Sequence, residues 1–150
     1  MRVSKPLYSL LALLLTCLAS TVVVAENVVD FGEYAVHYNA LRTDTLTPEI
    51  AQAYQLTRRN NRAMVNITVQ KRGAGKATTP HRAKVTGFAS NLTAQVKNLE
   101  FREIQDGDAI YYIAETQISN DETLNFEIKV TPEGNATSTQ VKFSQRFFTN

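Results

Sequence analysis

Leu124-Asn125-Phe126-Glu127-Ile128-Lys129-Val130 places an apolar side chain at every second position and a polar one between. Successive side chains of a β-strand point to opposite faces, so this run is a strand with one face in a core and one in water. The same period governs Tyr34, Val36 and Tyr38, set between Glu33, Ala35 and His37. It governs Val65, Ile67 and Val69, set between Asn66, Thr68 and Gln70. Val141, Phe143 and Phe147 continue it near the C-terminus. Turn chemistry separates the runs: Arg72-Gly73-Ala74-Gly75-Lys76, Asp106-Gly107, Asn120-Asp121 and Pro132-Glu133-Gly134-Asn135. Asp-Gly between two strand runs is a hairpin signal, because glycine accepts positive φ. The reading is an all-β antiparallel sandwich of about seven or eight strands.

One segment departs from period two. Thr47, Pro48 and Glu49 read as an N-cap, a proline at the first helical position and an acidic first turn. Ile50 and Tyr54 follow four residues apart on one face. The spacing predicts one short helix over 48–55, joining two strands.

The whole chain has 150 residues, 43% of them hydrophobic and 20% charged, with a single cysteine. That composition describes one globular domain, not a disordered tail, a disulfide-stapled scaffold or a polytopic membrane protein. The N-terminus reads differently from the rest. Arg2 and Lys5 precede the apolar run Leu7–Leu18, and Val23-Val24-Ala25 offers small residues for cleavage. This is the layout of a secretory signal peptide over 1–25, ahead of a sandwich domain over 26–150. An uncleaved segment would be a membrane anchor. Lipidation at Cys17 is disfavoured by the Thr16 before it and the apolar residues after it. Cleavage removes the only cysteine, and with it any thiol nucleophile or thiolate metal ligand. The expected location is the periplasm, with no transmembrane segment left after cleavage.

Few residues are placed for chemistry. His37 and His81, without cysteine, do not make up the three or four converging ligands of a zinc site. No serine lies in a Gly-x-Ser-x-Gly elbow, and Gly73–Lys76 lacks the spacing and Ser/Thr of a phosphate loop. Asp106 and Asp108 read as turn residues, not as a glycosidase pair. No cofactor is expected. Three Asn-x-Thr sequons, at Asn66, Asn91 and Asn135, read as chance in a chain of this composition. In Tyr111-Tyr112 and Phe147-Phe148 one ring of each pair belongs to the core. The other is exposed for contact or is covered by the helix near Ile50 and Tyr54.

Charge is more informative. From Arg42 to Lys97 there are ten basic residues against two acidic, and from Asn98 to Glu133 nine acidic against two basic. Two accounts fit this segregation. The simpler is cross-strand pairing between the halves. The other is a basic patch of Arg58, Arg59, Arg62, Lys71 and Arg72 that attracts and hydrogen-bonds an anionic partner, either an envelope protein or an anionic lipid. Nucleic acid is excluded by export and by near-zero net charge.

Several stretches together resemble a known family. They are Phe31-Gly32-Glu33-Tyr34, Tyr38-Asn39-Ala40-Leu41, Leu46–Ala51 with Ala53-Tyr54 and Arg58, and Asn66–Val69. Asn91-Leu92 with Gln95 belongs with them, as does Leu99–Ile104 followed by Ala109–Tyr112. The family is domain of unknown function 4426, small exported proteins of gammaproteobacteria. The resemblance implies an immunoglobulin-like β-sandwich and a periplasmic or membrane-associated location. It brings no assigned activity, so no residue role is carried over. The expected function is a non-catalytic binding or accessory module of the cell envelope. The alternatives are a small hydrolase using His37 or His81, or a self-associating structural protein.

Overall fold

The alternating runs become strands that pair antiparallel in two stacked sheets. The computed structural model describes residues 27–150, so the export segment read at 1–25 lies outside the described residues. The first sheet holds β1 (Val28–Phe31), β2 (Tyr34–Arg42), β3 (Arg62–Arg72), β8 (Ala109–Gln117) and β7 (Arg102–Asp106), in that order. A short β4 (Thr78–Pro80) lies beside the far end of β3. The second sheet is ordered β10 (Thr139–Phe147), β9 (Glu122–Pro132), β5 (Ala83–Asn91) and β6 (Val96–Leu99). The strand total exceeds the expectation because β1, β4 and β6 are four residues or fewer. Segments that short show no period.

Alternation sets the core. Leu124, Phe126, Ile128 and Val130 of β9 are buried against Val36, Val65, Ile67 and Val69 of the first sheet. Phe126 stacks on Phe143 at 4.7 Å, Tyr38 meets Phe143 at 4.7 Å, and Phe147 stands edge-on to Phe126. Such pairs add about 1 kcal/mol each beyond their buried area. Gly87 of β5 is a forced glycine. A Cβ there would lie 2.6 Å from the Glu127 carbonyl oxygen and 3.0 Å from the Ile128 Cα. Only a residue without a side chain permits this close approach of β5 to β9.

The helix α1 (Pro48–Ala53) starts as read and ends two residues earlier, with the Thr47 hydroxyl accepting from the Ile50 amide at 3.3 Å. Six residues are too few to be helical alone. Burial holds α1 in place over the outer face of the first sheet. There Ala51 and Leu56 pack on Met64 and Ile113, with Leu41, Tyr54, Ile104 and Tyr111 around them. The face differs from the expected one: Ala51 is turned inward and Ile50 stays exposed. The aromatic pairs resolve in both foreseen ways. Tyr112 and Phe147 are core, Tyr111 is covered by Tyr54 of the helix segment, and Phe148 is 51% exposed.

β3 runs the length of the first sheet and so defines two ends of the sandwich. The end near Arg62 also carries the β5–β6 hairpin tip, the β8–β9 connection and the C-terminus. The end near Arg72 carries the turns at Gly32, Gly75, Gly107 and Gly134, all with positive φ. We refer to these as the arginine end and the glycine end.

Candidate functional site

The five basic residues singled out by sequence do not meet. Arg62 and Arg72 are the two termini of an eleven-residue strand, about 33 Å apart at ordinary strand rise. At the glycine end both cations have acidic neighbours: Lys71 lies 3.4 Å from Glu33, and Arg72 is ion-paired to Asp30. At the arginine end Arg62 faces Glu115 across the sheet at 3.6 Å. Arg82–Glu103, Lys97–Glu122, Lys142–Glu127 and Arg146–Asp121 extend the cross-strand pattern. Much of the charge segregation along the chain is therefore cancelled in space.

Arg58 and Arg59 are different. Arg58 donates through Nη2 to the Asp44 carbonyl at 3.0 Å, a neutral acceptor, and is in no ion pair, though the Glu49 carboxylate feels its charge. Among the described residues the Arg59 side chain has no hydrogen bond or ion pair. Their loop is rigid for a reason the sequence did not advertise. Thr43 is fully buried. Its hydroxyl accepts from the Arg59 amide at 3.0 Å and donates to the Thr57 carbonyl at 2.8 Å, with the Arg59 and Arg62 carbonyls at 3.1 and 3.3 Å. One hydroxyl thus satisfies the turn of a loop that has no secondary structure of its own.

The C-terminal tail lies against this loop. Arg42, held by Asp44 through two bonds of 2.9 and 3.0 Å, donates to the Phe148 carbonyl. Asn60 donates to the Thr149 carbonyl at 2.7 Å, and the Thr149 amide donates to Asn120 at 3.0 Å. Residues 119–123 in turn share a shallow depression with Asn91, Leu92, Thr93 and Gln95 of the β5–β6 hairpin. A continuous surface therefore runs from Arg58 to Leu92. Of the five large apolar side chains exposed among the described residues, three lie at this end: Leu92 (79%), Val96 (63%) and Phe148 (51%).

The hairpin tip is built by Asn91. Its Oδ1 accepts from the Thr93 amide, the Thr93 hydroxyl and the Gln95 amide, and its Nδ2 donates to Gln95 and Glu122. Asn135 holds Thr137 in the same way. Two of the Asn-x-Thr sequons are thus turn motifs in which the asparagine oxygen caps the threonine. Glu122 sits beneath the tip, 10% exposed, bonded to Lys97 at 2.9 Å and to the Ser119 amide at 2.9 Å. Burial alone would raise its pKa. The bonds from Lys97, Ser119 and Asn91 outweigh that and hold the carboxyl below its usual range.

The histidines occupy other places. His37 lies on the outer face of β2, in register with Val28 and Thr68. His81 spends Nε2 on the Glu133 carbonyl at 3.0 Å and packs on the Tyr34 ring at 5.0 Å. Beside it lies an open cleft of about 390 Å³, lined by Arg82, Lys84, Glu103 and Glu133 among others. There Tyr112 donates to Glu103 at 2.9 Å and accepts from the Ala83 amide at 2.8 Å. Burial, with Glu103 adding to it, pushes the Tyr112 hydroxyl up to about 12, so it is a fixed donor bridging the sheets. Among the described residues no three histidines, cysteines or carboxylates gather as metal ligands, and no helix is long and apolar enough to cross a membrane.

Comparison with known proteins agrees with the architecture. The family model described as "Domain of unknown function (DUF4426)" matches residues 28–150. The crystal structure of a DUF4426 family protein from Pseudomonas aeruginosa is 36% identical, with a TM-score of 0.70, covering 82% of this chain and 94% of that one. No curated protein matches. With nearly the whole described domain inside the family model, and a relative of that identity sharing the fold, the chain belongs to the DUF4426 family.

Proposed function

We propose that this protein is a non-catalytic accessory module of the bacterial envelope, exported to the periplasm, that engages an anionic partner through its arginine end. The observation that carries the reading is the pair Arg58 and Arg59. They are exposed on a loop pinned by the buried Thr43, and no carboxylate neutralises them through an ion pair. Guanidinium groups held out on a pre-ordered loop bind carboxylate or phosphate with little further ordering cost. Export is supported by the apolar run Leu7–Leu18 and the small residues at Val23-Val24-Ala25. The hydrolase reading finds no comparable support, since His81 is committed to a backbone carbonyl and not to an acid.

The test is chemical crosslinking in the exporting cell, followed by mass spectrometry of what is attached. Arg58→Gln with Arg59→Gln is expected to lose the attached component while keeping the wild-type melting temperature. Lys71→Gln with Arg72→Gln is expected to keep it. Equal recovery from both double variants would sink the proposal.

A further inference from the structure

Three large apolar side chains stay exposed at the arginine end, one of them, Phe148, with the Arg146 guanidinium over its ring at 5.1 Å. Leu92 stands at a hairpin tip, Val96 at the start of an edge strand and Phe148 on the C-terminal tail. They arise from two separate segments, the β5–β6 hairpin and the C-terminal tail, and lie at one end, whereas of the other two exposed large apolar side chains Val28 lies along β1, in register with His37 and Thr68, and Ile50 on α1. Leu92 and Phe148 are both held out by polar scaffolds, Asn91 beneath one and Arg42 with Asn60 beside the other. The depression beside Leu92 is shallow and open, walled by Leu92 itself with Thr93, Asn120, Asp121 and Glu122, and it does not enclose a partner's side chain. Separate apolar points beside guanidinium groups that are in no ion pair match the boundary of an anionic bilayer. There hydrocarbon takes the apolar points and phosphate takes the arginines.

We infer that the arginine end docks on an anionic membrane surface, with Leu92 and Phe148 entering the headgroup boundary and Arg58 and Arg59 on lipid phosphates. This rests on the contact-end reading above and names its partner. Glu49 is the opposing charge. It lies close enough to Arg58 for the guanidinium to contribute to lowering its pKa, after its backbone and Thr47 hydrogen bonds. Glu49→Gln is therefore expected to strengthen docking.

The experiment is sedimentation of the exported protein with vesicles of phosphatidylcholine, with and without phosphatidylglycerol. All variants share the same N-terminal segment, so differences between them report on the arginine end alone. The wild type is expected to bind only vesicles containing phosphatidylglycerol. Arg58→Gln and Arg59→Gln should each weaken binding about fivefold, and Leu92→Ser with Phe148→Ser about tenfold or more. Both side chains are exposed, so melting temperatures should be unchanged, and that control separates lost docking from lost folding. Absence of binding to either vesicle overturns the inference, as does equal binding to both. If vesicles fail while crosslinking through Arg58 and Arg59 recovers an envelope protein, the bilayer assignment falls and the contact-end reading stands. If both fail, both fall.

Discussion

The two ends of this sandwich turn the chain in different ways. At the glycine end every positive-φ turn residue is glycine: Gly32, Gly75, Gly107 and Gly134. At the arginine end Ala94 and Asp121 take positive φ: the Asn91 Oδ1 accepts from the Thr93 and Gln95 amides on either side of Ala94, and Arg146 donates to the Asp121 carboxylate, while the third such non-glycine residue, Gln55, follows α1. A non-glycine residue in the left-handed region costs about 1 kcal/mol or more and persists where its surroundings over-determine it. The cations differ in the same sense. Lys71 and Arg72 are ion-paired at the glycine end, whereas at the other Arg58 and Arg59 are in no ion pair and only Glu49 lies near Arg58. One end closes the fold cheaply. The other invests buried polar groups in holding side chains outward, which is the behaviour expected of a contact surface.

The strongest way to break this contrast is to remove the hydroxyl beneath the arginine loop. Thr43→Val keeps the shape but strands the Arg59 amide and the Thr57 carbonyl. It should cost about 2–3 kcal/mol in denaturant unfolding and speed amide exchange at residues 57–62 while leaving 73–77 unchanged. Equal loss of protection at both ends would mean that the loop is not locally pinned.

Glu122 comes next. Its carboxyl is held below the ordinary value in the folded state. Its contribution is therefore fully present above the unfolded pKa and is lost as pH falls through the lowered folded one. Glu122→Gln should cost about 2 kcal/mol at neutral pH and flatten the decline in stability below the ordinary carboxylate range. A decline as steep as the wild type's would place the acid sensitivity elsewhere.

Smaller effects should differ in sign between the ends. Ala94→Gly relieves a left-handed alanine and should raise stability by a few tenths to about 1 kcal/mol, whereas Gly134→Ala should lower it by about 1 kcal/mol. The smallest effect is expected from Lys71→Gln with Arg72→Gln. Both pairs are largely solvent-exposed, so the change should stay within about 0.5 kcal/mol by thermal unfolding.

Period-two alternation made the sheets legible, because the inward positions of β9, β3 and β2 are the apolar ones that the sequence displays. The Asp106-Gly107 hairpin and the Thr47-Pro48 helix start were legible through their turn and cap chemistry. The shortest strands were not, because three or four residues carry no period. The arginine loop was only half legible. Its charges are visible at Arg58-Arg59, but sequence neighbourhood grouped them with Lys71 and Arg72, which a continuous strand carries to the opposite end. Thr43 left no signal, because a threonine that caps a loop fourteen or more residues away looks like any other. Phe148 was legible as one ring of a pair. Its exposure depended on Phe147 taking the core position.

A photoreactive side chain placed singly at position 59 and at position 76, in the full chain produced by living cells, separates the two ends. Adducts to an envelope component are expected from position 59 and none from position 76. Adducts from position 76, with none from position 59, would contradict a contact surface at the arginine end.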